Sequence, residues 1–111
     1  MSALNRAVAE HVMGASVKQR EDQWVEAHCT ESEIPIWLPI PDYEHDAREC
    51  ERVIEKMGET HEVMIYVDPQ EKVVDISSGA DVFTVYSPNW KRAVCIAALK
   101  ARGVDTKEFE A

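Results

Sequence analysis

The stretch SPNWKRAVCIAALKARG, at residues 87–103, decides the fold of this chain. Ser87 is a predicted N-cap, Pro88 fits a first helical turn, and Gly103 can end the helix in a left-handed conformation. Every side chain from 93 to 99 is apolar. Because a helix that is apolar around most of its circumference must be covered broadly, we predict a helix at 88–102 with a sheet against one side.

The composition is that of a folded, acidic chain. Its 111 residues fit one compact domain, 1–111, and a content of 45% hydrophobic and 30% charged residues is ordinary for a folded protein. The 21 acidic residues outnumber the 12 basic ones, which gives a net charge of -9. Such a surface repels a phosphate backbone unless its cations are gathered in one place. Non-specific nucleic-acid binding is therefore disfavoured.

Cysteine usage indicates a reduced, cytoplasmic protein. Cys29, Cys50 and Cys95 are an odd number, lie far apart and form no CxxC pair. The N-terminus lacks the basic-then-apolar pattern of a signal peptide. The apolar run at 93–99 is far too short to span a bilayer, so we expect no membrane partner.

Hydrophobic spacing predicts two further helices. The first, at 2–13, carries apolar residues at helical spacing and stops at Gly14. The second, at 44–57, follows the capping-box spacing of Asp46 and Glu49 and presents one apolar face.

Three short runs that alternate apolar and polar residues predict strands at 61–67, 72–77 and 81–86. Turn-forming residues separate them at 68–71 and 77–80. The strands therefore form a predicted antiparallel meander. Helices packed on such a meander give an α+β layered domain.

Residues 15–41 show no firm pattern, and we expect them to form an irregular arm. Prolines alternate with apolar residues in IPIWLPIP at 34–41, which denies the backbone most ladder hydrogen bonds. This segment cannot be a central strand. Trp37 and its apolar neighbours either strap over the core or form the lip of a binding site.

The chain also resembles a known family. Its segments LNRAVAEHVMG at 4–14, PDY at 41–43 opening a helix that runs into VIEKM at 53–57, and AVCIAALKA at 93–101 are similar to the phage ABA sandwich domain of phages and prophages. The resemblance covers nearly the whole chain. It implies an α/β/α sandwich, a phage or prophage source and no established catalytic residues. The chain departs from the usual pattern at 44–45, where a small hydroxyl residue commonly caps the helix, and at Cys50, where a larger apolar residue is frequent.

Catalytic and metal-binding chemistry finds little support in the residues. The candidate zinc ligands, which lack any recognised spacing, are His28, Cys29, His45, Asp46, Cys50 and His61. Cys95 lies in an apolar helix, where a thiol is inert. The chain has no glycine-rich phosphate loop and no GxSxG elbow. We therefore expect no enzyme activity, no metal and no cofactor.

One electrostatic feature stands out in the last helix. Lys91 and Arg92 occupy its first turn, where positive charge opposes the helix dipole. Surface salt bridges to nearby carboxylates would explain them. So would an anion site, in which the free amides of the helix start, the two cations and the Trp90 ring hold a phosphate group. The other aromatic candidates for that site are Trp24, Trp37 and Tyr43.

The first functional hypothesis is a phage-encoded binding protein in the cytoplasm of an infected bacterial host. It would antagonise host defence by sequestering a small nucleotide-like signal, for which aromatic stacking and a phosphate clamp are the minimum equipment. Because a short chain forms a deep pocket more easily between subunits, we expect a homo-oligomer. Replacing Lys91 and Arg92 by alanine is expected to leave folding nearly unchanged, since both precede the apolar run.

Two alternatives belong to other functional classes. An acidic module could bind a host or phage protein through its negative surface and the apolar arm at 34–41. The order of one helix, three strands and a final helix, with Lys91 and Arg92 at the start of that helix, is also similar to double-stranded RNA-binding domains. The overall acidity of the chain argues against this last alternative.

Overall fold

The computed structural model describes residues 2–67 and 69–110, and Asp68 of the predicted turn at 68–71 lies outside them. The described residues form four helices and two three-stranded antiparallel sheets, which confirms the α+β class. The elements are α1 (Ala3–His11), β1 (Val17–Arg20), β2 (Gln23–His28), β3 (Ile36–Pro39), α2 (Ala47–Gly58), β4 (Glu62–Val67), β5 (Lys72–Ser78), β6 (Asp81–Ser87), α3 (Trp90–Ala101) and α4 (Lys107–Glu110).

Helix α3 has a different N-cap from the one predicted. The side chain of Asn89 accepts hydrogen bonds from the amides of Lys91 and Arg92, at 3.1 and 3.4 Å. Ser87 instead accepts a bond from the amide of Asn89, at 3.1 Å. Pro88 therefore precedes the helix, and the prediction of Ser87 as the cap is wrong.

The end of α3 is as predicted. Gly103 has a φ of 80°, a left-handed conformation that an L side chain adopts only with strain. Its amide donates to the carbonyl of Lys100 at 2.9 Å, and the amide of Val104 donates to the carbonyl of Leu99 at 3.0 Å. These two bonds form a Schellman motif, which satisfies the last carbonyls of the helix.

Helix α3 is the centre of the core. All seven residues from 93 to 99 are buried. One side of the helix packs on β5 and β6, and α1 and α2 also pack against it. The predicted sheet against this helix is therefore confirmed.

The second sheet, β4–β5–β6, is the predicted meander with its strand ends shifted by a single residue. Its register places Ile65, Val74 and Val85 in one row on the side of α3, and Val74 is fully buried there. On the other side, Tyr66 and Tyr86 are exposed. Within the described residues, the long helices that contact this sheet lie on the side of α3. Strands β4 and β6 are the two edges of the sheet.

The predicted irregular arm at 15–41 is wrong, because most of it forms the first sheet, β1–β2–β3. Glu21, with a φ of 57°, makes the tight turn from β1 to β2. Strand β2 is hydrogen-bonded to β1 on one side and to β3 on the other. These bonds stabilise a sheet whose residues are largely polar or exposed. The proline-rich strand β3 lies at an edge, as the prolines predicted.

Helices α1 and α2 are shorter than predicted. Helix α1 begins after Ser2, whose hydroxyl accepts from the amide of Asn5 at 3.1 Å. Asp46 caps α2 by accepting from the amides of Arg48 and Glu49, which confirms the capping spacing. The helix therefore starts at Ala47, and the predicted start at 44 is wrong.

Candidate functional site

A shallow groove lies beside the start of α3, between the helix and one end of the second sheet. Its volume is about 260 Å³, and it is lined by Ile65, Val67, Lys72 and Trp90, which together we name the Trp90 groove. Ligand pockets for drug-sized molecules span roughly 300–1,000 Å³. The volume of this groove lies slightly below that range.

Sheet register and the helix cap together build this groove. Val67 pairs with Lys72 across β4 and β5, and Ile65 stands two residues away on the same side of the sheet. Trp90 joins them because Asn89 starts α3 at this point. Lys72 was not among the predicted site residues, although the alternation along the strand could have placed it on the α3 side.

One lysine lines the groove, whose exposed surface is almost wholly apolar, and another lies beside the Trp90 ring. Lys72 lines the groove, and Nζ of Lys91 lies 5.3 Å from the centroid of the indole ring. Salt bridges in the described part of the chain involve neither lysine. An aromatic face with two cations can bind a group that is both planar and anionic.

The amides at the helix start do not take the role predicted for them. Those of Lys91 and Arg92 donate to the side chain of Asn89. A self-capped helix start offers an anion fewer donors than an open one. The predicted contribution of these amides to an anion site is therefore wrong, and the lysine side chains are left as the candidate anion ligands.

Arg92 does not belong to the groove. Its Nη1 donates to Oε1 of Glu44 at 3.3 Å, and its Nη2 donates to the carbonyl oxygen of Phe109 at 2.7 Å. Glu44 is buried and also accepts the hydroxyl proton of Ser2, at 2.7 Å. A buried carboxylate requires a counter-charge, so Arg92 is a structural residue, and its prediction as a ligand cation is wrong.

Tyr43 is also inaccessible to a ligand. The side chain is fully buried, and its hydroxyl has no hydrogen-bond partner among the described residues. Burial, followed by the negative charge of Glu26, raises the pKa of Tyr43 far above its ordinary value. The prediction of Tyr43 as a ligand contact is wrong because the segment before α2 turns this ring into the core.

The two remaining tryptophans lie in the first sheet, on opposite faces. Trp37 pairs with Ala27, three residues along β2 from Trp24, and side chains an odd number apart point to opposite sides. The guanidinium of Arg6 lies 4.3 Å from the Trp24 ring, and Nζ of Lys18 lies 4.0 Å from the Trp37 ring. Trp24 also lines a different cavity, of about 220 Å³. Of the six predicted site residues, only Trp90 and Lys91 lie at the groove.

A second group of polar side chains is buried under the first sheet. Glu26 is only 4% exposed, and its Oε2 lies 3.0 Å from Nε2 of His28. Its other oxygen, like the hydroxyl of Tyr43, has no partner among the described residues. Burial raises the pKa of Glu26, and the opposing charge of His28 offsets part of that effect. Glu26 was not among the predicted site residues, and its apolar neighbours Trp24, Val25 and Ala27 are the only sequence signal that it lies in a buried segment.

Two cysteines meet in the core. Cys50 on α2 and Cys95 on α3 are fully buried, and a hydrogen bond between their side chains, together with burial, raises the pKa of the Cys95 thiol far above its ordinary range. A thiol held in this way is a poor nucleophile. In the described part of the chain, no group of three or more His, Cys, Asp or Glu side chains could hold a metal ion.

None of the helices within 2–67 and 69–110 has the length and hydropathy needed to cross a bilayer.

Comparison with known proteins shows the fold. No protein-family model and no curated protein matches this chain. Its structure is similar to the crystal structure of a phage protein from Bacillus cereus, with a TM-score of 0.69 and 18% sequence identity over 92% of this chain and 86% of that chain. At that identity the two chains share a fold. Membership of the phage ABA sandwich family stays a prediction.

Proposed function

We propose that this chain is a phage-encoded, non-enzymatic binding protein that sequesters a small nucleotide-like ligand and thereby antagonises a host defence. The observation that carries this proposal is the Trp90 groove, in which Lys72 and an aromatic ring line an apolar surface and Lys91 lies beside the same ring, in an otherwise acidic protein. The phage setting is supported by the fold shared with a phage protein.

The chemistry of the groove suits the two halves of such a ligand. A base would stack on the Trp90 ring and rest against Ile65, because stacking on an aromatic side chain is worth about 1–3 kcal/mol per base. A phosphate group would then lie at the rim of the groove, where Lys72 and Lys91 are the candidate cations and each charge-assisted hydrogen bond adds about 1.5–3 kcal/mol. With a net charge of -9, the rest of the surface repels anions.

Calorimetric titration with a panel of cyclic and linear nucleotides tests the proposal, with inorganic phosphate and duplex RNA as comparison ligands. We expect one nucleotide class to bind and phosphate alone to bind far more weakly. Trp90→Ala and Lys72→Ala should each weaken binding about ten-fold or more. Absence of heat and of thermal stabilisation across the panel would contradict the proposal, and binding of duplex RNA alone would favour an RNA-binding function.

The chain supplies a matched control for the removal of Lys91. Lys18 and Trp37 form a second lysine–tryptophan pair, with Nζ 4.0 Å from the ring, outside the Trp90 groove. Lys18→Ala removes a cation from the same type of contact that Lys91→Ala removes at Trp90. It should leave nucleotide affinity unchanged, so a loss equal to that of Lys91→Ala would indicate non-specific attraction of the anion.

A second candidate function, the binding of a host or phage protein, is favoured by a specific surface of the first sheet. Ile36 and Leu38 point to the same side of the edge strand β3, and both are exposed, as is Ile34 before them. Large exposed apolar side chains in a row are typical of interaction sites. A purified partner, identified by capture and mass spectrometry, should bind the wild type stoichiometrically and lose affinity for Ile36→Lys. Unchanged affinity of this variant would exclude this surface.

A further inference from the structure

Strand β4 exposes four consecutive large apolar side chains. Met64, Ile65, Tyr66 and Val67 are 42%, 38%, 46% and 77% exposed. Since successive residues of a strand point to opposite faces, apolar surface is exposed on both sides of β4. The strand is also an edge of the second sheet, so one side of its backbone lacks a neighbouring strand within the described residues.

Edge strands of monomeric proteins normally carry a charge, a proline or a bulge that prevents pairing with another chain. Residues 63–67 carry no charge and no proline. Their pairing with β5 is continuous, one residue opposite one, so there is no bulge.

The other edge strands do carry such protection. Lys18 and Arg20 are charged residues on β1, and Pro39 ends β3. On β6, the charged Asp81 and the polar Thr84 interrupt the exposed apolar side chains. Strand β4 begins with the charged Glu62, but its next five residues form the longest uninterrupted apolar run among these edge strands of the described fold.

We propose that β4 pairs antiparallel with β4 of a second copy of this chain, which joins two three-stranded sheets into one six-stranded sheet. Two copies that each carry -9 repel one another, so net charge opposes the pairing. The uncharged residues 63–67 supply the apolar contact that offsets this repulsion.

The segment is also self-complementary. In a two-fold pairing centred on Ile65, Met64 lies opposite Tyr66 of the partner subunit, and Val63 lies opposite Val67 of the partner subunit. Every cross-strand pair is then apolar, and sulfur–aromatic and aliphatic pairs of this kind stabilise sheets. A two-fold interface uses the same patch on both subunits, which this segment provides.

This pairing has a consequence for the groove, and that consequence rests on the proposed function. Ile65 and Val67 belong both to β4 and to the Trp90 groove. Pairing centred on Ile65 places the partner subunit's Ile65 opposite Ile65 and the partner subunit's Val63 opposite Val67. The partner subunit therefore extends the apolar wall of each groove, and we name the result the extended groove.

Sedimentation and light scattering over a wide range of protein concentration test the pairing. Wild type should be a dimer. Val67→Lys places a charge on β4, at a side chain exposed enough to accept it, and should give a folded monomer. Val82→Lys is the matched control, because Val82 is an exposed valine on the opposite edge strand β6, and it should stay dimeric.

The contrary results are equally definite. A wild type that stays monomeric at the highest concentration overturns the pairing. A dimer that survives Val67→Lys also overturns the pairing. A dimer that is lost with Val82→Lys and not with Val67→Lys overturns it as well, because that result would place the contact at β6. Hydrogen exchange gives an independent measurement: amides of β4 should be more protected in wild type than in Val67→Lys, whereas amides of β5 should not change.

Nucleotide titration of Tyr66→Lys separates the pairing from the proposed function, because Tyr66 is exposed on the same edge strand and does not line the Trp90 groove, as Val67 does. Tyr66→Lys should also be a monomer, and loss of both dimer and nucleotide affinity in it supports the extended groove. A monomeric Tyr66→Lys that binds as well as wild type supports the proposed function and overturns the extended groove. A wild-type dimer that binds no nucleotide supports the pairing and contradicts the proposed function.

Discussion

The two sheets of this protein have the same strand order and the same antiparallel pairing but are held in different ways. The second sheet contributes Val74, Ile76 and Val85 to the core under α3. The first sheet contributes a buried carboxylate, Glu26, and few fully buried apolar side chains. One sheet is stabilised by removal of apolar surface from water, and the other mainly by backbone pairing and contacts to charged groups.

This difference shows that similar topology does not imply similar energetics. Burial of an aliphatic side chain is worth about 1.5–3 kcal/mol, whereas a cation over an exposed ring is worth about 0.5–1 kcal/mol. Substitutions in the second sheet should therefore destabilise the protein more than substitutions of comparable size in the first sheet.

The largest effect is expected at Ile76. Truncation by Ile76→Ala leaves a cavity under α3 and should lower the free energy of unfolding by about 2–5 kcal/mol, measured by urea denaturation. Leu38→Ala in the first sheet removes a side chain of equal size from an exposed position and should cost less than about 1 kcal/mol. Equal losses for the two variants would show that both sheets depend on apolar burial to the same degree.

The next effect concerns the link between the chain of the first sheet and α3. Arg92 joins α3 to Glu44, which follows β3, and to the carbonyl of Phe109. Arg92→Ala should cost about 1.5–3 kcal/mol, because it removes charge-assisted bonds and leaves a buried carboxylate without its cation. Thermal and urea denaturation measure this cost.

Lys91→Ala is the control for Arg92→Ala. Its side chain contacts only the Trp90 ring among the interactions described, so stability should change by no more than about 0.5 kcal/mol. The expectation that both residues can be replaced without effect therefore stays a prediction for Lys91 and is revised for Arg92. Equal stability of the two variants would show that Arg92 is as dispensable as Lys91.

The sheets also differ in how far the sequence predicts them. The second sheet was predicted because burial on one face imposes an alternation of apolar residues. The first was missed: Lys18, Gln19 and Arg20 in β1 read as a solvated segment, and the pairing of β2 on both sides depends on partners outside its own sequence. Short polar strands do not reveal their partners through periodicity.

The residues of the candidate site also differ in how far the sequence predicts them. Trp90 was predictable because it stands at the start of a strongly marked helix. Lys72 depends on strand register, and the burial of Tyr43 depends on a turn that sequence spacing does not reveal. The contact of Arg92 with Glu44 joins residues that are 48 positions apart, and no local pattern encodes a contact of that separation.

The third prediction concerns the pH dependence of the first sheet. Burial raises the pKa of Glu26 in the folded state, so the folded protein holds the proton more tightly than the unfolded chain. The stability from this group is fully present below the ordinary pKa of glutamate, about 4.5, and is lost as the pH rises through the folded pKa.

Glu26→Gln should remove this loss. We expect a melting temperature above that of wild type at neutral pH, with the difference shrinking as the pH falls to about 4.5. Glu31→Gln, at an exposed glutamate, should follow the wild-type profile. A Glu26→Gln protein that is less stable at neutral pH would show that the contact with His28 outweighs the cost of burying the carboxylate.

Asp42 supplies the opposite sign. Burial would raise its pKa, but hydrogen bonds from Asn5 and His45 outweigh burial and lower it. Its contribution to stability is therefore present above the ordinary pKa of aspartate, about 3.8, and is lost as the pH falls through the lower folded value. Asp42→Asn should therefore reduce the loss of stability as the pH falls below about 3.8. Glu26→Gln should reduce the loss of stability as the pH rises above about 4.5.

The smallest effect is expected at the outer face of the first sheet, where Nζ of Lys18 lies 4.0 Å from the Trp37 ring. A double-mutant cycle with Lys18→Gln and Trp37→Leu isolates this contact from the loss of either side chain alone. We expect a coupling free energy of about 0.5–1 kcal/mol by urea denaturation, and Lys18→Arg should retain it, because a guanidinium also binds an aromatic face. A coupling of zero would mean that backbone pairing alone holds this face. The contrast between the two sheets would then be between apolar burial and hydrogen bonding, with no contribution from the cation on this face.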